Sequence, residues 1–103
     1  MLWRMAKILR TGASLADLDR IYDYVSASSP QNADVLIRDF ECALLLLADT
    51  PNIGKARPEL SEGLRSWPVH RFIIFYTPSE DAVIVIRVLH AAMDISTQHF
   101  AEN

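Results

Sequence analysis

Val69-His70-Arg71-Phe72-Ile73-Ile74-Phe75-Tyr76-Thr77, then Pro78-Ser79-Glu80-Asp81, then Ala82-Val83-Ile84-Val85-Ile86-Arg87-Val88-Leu89 is the stretch whose reading decides the fold. Two runs rich in β-branched and aromatic residues flank a cluster of turn formers, which is the pattern of two strands joined by a turn. Both alternating faces of each run are mostly apolar, so these strands need cover on both sides. Leu64 to Trp67 reads as a further strand ahead of them, set off by Pro68, and residues 51–63 read as a loop.

The cover lies upstream. Leu15, Leu18, Ile21, Tyr22 and Val25 fall at helical spacing, with Thr11 and Ser14 as candidate N-caps and Ser14 with Asp17 as a loose capping pattern. The turn formers Ser26-Ala27-Ser28-Ser29-Pro30 end that helix near Val25, and Ser29 caps the next one with proline in its first turn. Leu36, Ile37, Phe40, Ala43, Leu44 and Leu47 then trace one stripe of a long amphipathic helix that ends near Thr50-Pro51. So short a link makes the two helices an antiparallel hairpin. Residues 3–10 alternate imperfectly and read as a strand, although Arg4, Lys7 and Arg10 are also spaced as on a helix. The expected fold class is therefore α/β in the α+β sense: a helix hairpin packed on a small antiparallel sheet, one domain over residues 1–103.

For the second face of the sheet only residues 91–100 remain, one short C-terminal helix at most. Two outcomes stay open on the pattern alone. Either apolar surface on that face or on the hairpin is left for a partner, or the sheet twists over a compact core with nothing exposed.

Composition narrows the class. Hydrophobic residues make up 50% of the 103, enough for a core that needs neither metal nor disulfide. Cys42 is the single cysteine, which excludes an internal disulfide and fits a reducing cytoplasm, and no cysteine–histidine set has zinc-site spacing. No metal or other cofactor is expected. Arg4, Lys7 and Arg10 are not followed by an uncharged apolar stretch of signal-peptide or membrane-spanning length, so neither secretion nor membrane insertion is expected. The formal charge of −3 argues against a protein that lives by direct nucleic-acid binding, which needs a clear excess of Lys and Arg. Acids crowd residues 17–49, whereas Lys55, Arg57, Arg65, Arg71 and Arg87 come later, so part of the surface is expected to be locally basic.

Several residues carry two readings. Arg65, Arg71 and Arg87 either pair with Glu59, Glu62 or Asp94 to orient loops or form a shared basic patch. Whether Arg71 and Arg87 share a face depends on a hairpin register that a one-residue slip reverses. His90 reads as a hydrogen-bonded structural residue near Asp94 rather than a general acid. His70 and His99 have no visible partner. Tyr22, Tyr24 and Trp67 offer apolar area with a polar tip, and Cys42 is a packing residue.

The run Ala16-Asp17-Leu18-Asp19-Arg20-Ile21-Tyr22-Asp23-Tyr24 resembles the first-helix signature of the RelE/ParE toxin superfamily. Pro51, Gly54, Arg57-Pro58-Glu59-Leu60, Gly63-Leu64-Arg65-Ser66 and Pro68 continue the likeness, as do Phe72-Ile73-Ile74-Phe75-Tyr76, Ile86-Arg87-Val88-Leu89-His90 and Asp94. In this order they span nearly the whole chain and resemble the ParE branch. That resemblance implies a β-α-α-β-β-β core, neutralisation by a ParD-like antitoxin in a toxin–antitoxin hetero-oligomer, and poisoning of DNA gyrase by protein binding with no catalytic residue. The anchors it implies are Leu18, Tyr22, Leu36, Phe40, Leu44, Trp67 and Phe72, with Arg65 and Arg87 at the rim.

The rival reading is the RelE branch, a ribosome-dependent endoribonuclease acting on messenger RNA, for which Arg65, Arg71, Arg87 and His90 would hold phosphate and move protons. Residues 88–103 contain no Lys, Arg or Tyr, whereas the family's ribonucleases tend to carry such a group there. A third reading is a family member that binds an antitoxin-like partner and is not toxic.

Overall fold

The computed structural model describes residues 5–100. The chain runs β1 (Lys7–Arg10), α1 (Gly12–Ser28), α2 (Pro30–Asp49), β2 (Lys55–Ala56), β3 (Arg65–Val69), β4 (Phe72–Pro78), β5 (Ala82–His90) and a 3-10 turn at Ile95–Thr97. Thr11 caps α1, its side chain accepting from Ser14 N, and Ser29 caps α2 by accepting from Asn32 N, with Pro30 in the first turn. Ser29 also ends α1 through its N–H to Val25 O, so one residue joins the helices. The first helix runs three residues beyond the expected end at Val25, because Ser26, Ala27 and Ser28 continue the turn that Ser29 closes.

Five strands form one sheet in the order β1-β5-β4-β3-β2. The expectation of an antiparallel sheet is corrected at its edge: β1 pairs with β5 in parallel, Lys7↔Ala82 to Arg10↔Val85. The hairpin register is Phe72↔His90 through Pro78↔Val83, with a bulge where Ile86 is inserted between the pairs Phe75↔Arg87 and Tyr76↔Val85. Arg71 sits in the β3–β4 turn, outside any strand, so it shares no sheet face with Arg87. Of the expected first strand, residues 7–10 are a strand and residues 1–4 lie outside the described residues.

Three further boundaries differ. Pro68 lies within β3 and pairs with Ile73, since β2 covers only Arg65 and Ser66 and the edge beyond needs no N–H from proline. The loop 51–63 contains the two-residue β2. The expected C-terminal helix is a single 3-10 turn capped by the Asp94 side chain.

The helices cover one face of the sheet. Phe40, Leu44 and Leu47 of α2 meet Ile74, Tyr76, Val83, Val85 and Val88, the stripe the spacing predicts. On the other face Leu64, Phe75, Ile86 and Leu89 form a second cluster, covered by Leu60, Ile95 and Phe100. Phe100 lies 4.9 Å from the Phe75 ring and the Arg57 guanidinium 5.8 Å from its centroid. Loop and tail together cover the second face of the sheet, and the apolar surface left in solvent lies mainly on the helices, at Leu15, Tyr22, Tyr24, Val35, Leu45 and Leu46.

Candidate functional site

Because β1 is short, β5 loses its neighbour beyond Val85, and the start of α1 takes over that edge. Thr11 donates from N to Val85 O and from Oγ1 to Ile86 O, at 3.1 and 2.8 Å. Nearly two helical turns later Asp17, 2% exposed, accepts from Val88 N at 3.1 Å and from Arg87 Nε and Nη2 at 2.7 and 2.9 Å. Arg20 completes the carboxylate's set of partners. The bulge at Ile86 turns Arg87 toward this edge, and the hydrogen bond to Asp17 raises the guanidinium's already high pKa. Arg87 Nη1 reaches on to His99 O at 3.3 Å. The expected pairing of Arg87 with Glu59, Glu62 or Asp94 is replaced by this buried fork.

The other expected basic residues are placed separately. Arg65 Nη1 donates to the carbonyls of Asn52 and Gly54, at 3.1 and 2.7 Å, and so holds the loop after α2. The same loop is pinned by Tyr76, whose hydroxyl donates to Pro51 O at 2.7 Å and accepts from Gly54 N at 2.9 Å. Burial pushes this phenol above its ordinary pKa, which keeps the O–H as a donor. His90 Nδ1 accepts from Ala92 N at 3.0 Å, and its ring meets Phe72 edge-on. Asp94 instead caps the 3-10 turn. Arg87 and His90 line one cleft, and Arg71 lines another.

The expected partner-binding anchors also divide. Leu18 and Tyr22 line a groove of about 380 Å³ along the outside of the hairpin, with Leu15 and Ile37 as further apolar walls and Asp19, Asp34, Glu41 and Arg10 as polar ones. Tyr22 donates to Asp34 at 3.2 Å, a bond that raises its pKa, and Arg10 meets Glu41 at 3.2 Å. Leu36 and half-buried Phe72 line a cleft at the tip of the hairpin, and Trp67 lines one along the open edge of β3. Phe40 and Leu44 are corrected: at 1% and 2% exposure they are interior residues that hold α2 to the sheet and offer nothing to an incoming chain. Leu15, 49% exposed, lines the groove instead; it falls on the rim of the helical stripe, which spacing alone assigns to the core. His70, given no role above, has φ 55 and stands 2.6 Å from Asp39.

A family model described as "ParE toxin of type II toxin-antitoxin system, parDE" matches residues 8–95, both helices and the sheet included. The chain belongs to the ParE toxin family. Among ParE relatives, it is 26% identical over 95 residues to Toxin ParE3 of Caulobacter vibrioides, covering 91% of this chain and 95% of that protein. Toxin ParE1 of Mycobacterium tuberculosis is 29% identical over 92 residues, 87% of this chain and 94% of the relative. A solved structure titled "Chromosomal ParDE TA system from P. aeruginosa" superposes with a TM-score of 0.69 at 26% identity, over 84% of this chain and 96% of that one. The ParE match begins in β1 and ends in the 3-10 turn. Among the described residues no helix is long and apolar enough to cross a membrane.

Proposed function

We propose that this member of the ParE family is neutralised by a ParD-like antitoxin that packs along the helix hairpin, and that it arrests growth by binding DNA gyrase without making or breaking a covalent bond. The observation that carries the reading is the hairpin groove, in which exposed Leu15 and Tyr22 and half-buried Leu18 and Ile37 lie between polar rims. Apolar surface of that kind is suited to an apolar segment of another chain. The P. aeruginosa neighbour is itself described as a ParDE system, which supports an antitoxin as the occupant. Support for a non-catalytic action comes from the engagement of three of the four residues the ribonuclease reading would need. Arg87 is bound to a buried carboxylate, Arg65 to loop carbonyls and His90 to its own turn. A general acid or base has to reach the proton it transfers.

The test is expression of the chain without its antitoxin in a bacterial host, with gyrase-dependent DNA breaks and message integrity followed in the same cultures. Growth arrest with accumulating breaks and intact messages is the expected result. Cleaved messages without breaks would establish the ribonuclease in its place, and unimpaired growth would leave a non-toxic antitoxin binder.

A further inference from the structure

Two clefts open on the half-buried ring of Phe72, where β4 begins and β5 ends. One lies against the hairpin tip, walled by Val25, Val35 and Leu36 with His70 and Arg71 at its mouth. The other lies between α1 and the end of β5, walled by Ile21, Tyr24 and Met93 with Arg20, Arg87 and His90. Main-chain pairing fixes this arrangement: Phe72 is paired with His90, and Ala91 N donates to Arg71 O at 2.8 Å.

The apolar floor is open to solvent, and its charge is one-sided. Tyr24 is 80% exposed, Met93 43% and Val35 40%. Arg71 is exposed and has no ion pair among the described residues. Arg20 rests on Asp17 with 67% of its side chain still in solvent. Among the described residues the only carboxylate lining either cleft is Asp17, buried and already held by Arg87. His70 is met by Asp39 from α2. The hairpin groove has the opposite character, with Asp19, Asp34 and Glu41 against Arg10 alone.

We infer that the Phe72 end is a second docking site on this protein, one that takes an acidic segment of its protein partner: an apolar side chain seats on Phe72 while flanking carboxylates meet Arg71 and Arg20. The inference rests on the reading that a protein neutralises this chain. Guanidinium groups beside an apolar floor suit carboxylates flanking an apolar anchor, because the floor supplies affinity and the planar fork supplies direction. A phosphodiester backbone fits less well. No lysine lines either cleft, and the chain's net charge is −3, whereas phosphate affinity grows with the number of cations supplied.

The test uses the full chain and its variants Arg71→Glu, Arg20→Gln and, as a control for net charge at a distant exposed cation, Lys55→Glu. All are exposed positions, and circular dichroism checks that each variant folds. Affinity is measured for the purified antitoxin encoded beside the chain, for a labelled Asp-Glu-Leu-Phe-Glu-Asp peptide, for its lysine-substituted counterpart and for a short single-stranded DNA. The expected result is that the acidic peptide binds and the lysine peptide does not. Arg71→Glu and Arg20→Gln should each weaken the antitoxin about tenfold, a factor equal to about 1.4 kcal/mol, while Lys55→Glu leaves it within about twofold. Wild-type antitoxin affinity in both arginine variants overturns the inference and leaves the partner itself intact, as does DNA bound in preference to the acidic peptide. If the antitoxin fails to bind the wild-type chain, the proposed partner is wrong. The peptides then decide the inference: acid-selective binding lost in Arg71→Glu sustains it, and no binding overturns it.

Discussion

Asp17 accepts from Arg87, from Arg20 and from the Val88 amide, so one buried carboxylate joins the first helix to the last strand. Asp17→Ala removes the anion and leaves the Arg87 guanidinium and a main-chain N–H without it. Breaking a buried pair from one side is expected to lower stability by about 3–5 kcal/mol, read from the urea midpoint. Replacing both residues, as in Asp17→Leu with Arg87→Met, is expected to recover much of that loss, because no uncompensated charge remains. Gly54 is a second position of this kind. A Cβ there would stand 2.5 Å from the Tyr76 hydroxyl oxygen and 2.9 Å from Ser66 O, so the loop must approach the sheet without a side chain. Gly54→Ala forces the loop outward, and a loss of about 1–3 kcal/mol is expected from overpacking. Tyr76→Phe, which keeps the volume and strands Pro51 O and Gly54 N, is expected to lose a similar amount, about 1–3 kcal/mol.

At the scale of elements, both helices depend on single capping side chains. Ser29 starts α2 and ends α1, and Ser29→Ala is expected to lower the thermal midpoint in line with about 1 kcal/mol of lost capping. Thr11→Ala should lose more than Ser29→Ala, since the Thr11 hydroxyl also donates to the edge of β5. These caps, the helix hairpin and the two long strands were legible because each writes its period or its turn chemistry into neighbouring residues. The parallel placement of β1, the two-residue β2 and the bulge at Ile86 were not, since partners distant in sequence decide them and no local signal marks them. Pro68 misled for a related reason: proline breaks a strand only where its N–H is needed, and an open edge does not need it. At the site, Leu18, Tyr22 and Phe72, expected as partner anchors, line clefts of the structure. Phe40 and Leu44 were not separated from them, because an amphipathic stripe does not distinguish its centre from its rim. The role of Asp17 was hidden behind its resemblance to a capping residue, although an acid on the line of Ser14 and Ile21 was a usable signal for a buried partner.

Taken whole, the molecule buries both faces of its sheet with little chain to spare. The helices cover one face, while the 57–64 loop and the tail at 95–100 cover the other. Phe100→Ala is expected to uncover the Phe75 ring and lower stability by about 2 kcal/mol, part of the loss for a fully buried aromatic because Phe100 is only half-buried. What the fold leaves unfilled includes the outside of the hairpin, and on that surface rests the claim that another protein holds this one in check. The most direct measurement is a calorimetric titration of the purified chain with the antitoxin encoded beside it, for the wild type and for Leu15→Glu, a change at an exposed groove position that leaves the core intact. Tight binding by the wild type, weakened about 30-fold or more in Leu15→Glu, is the predicted result. A folded wild-type chain with no affinity for that antitoxin, or equal affinity in the two proteins, would contradict it.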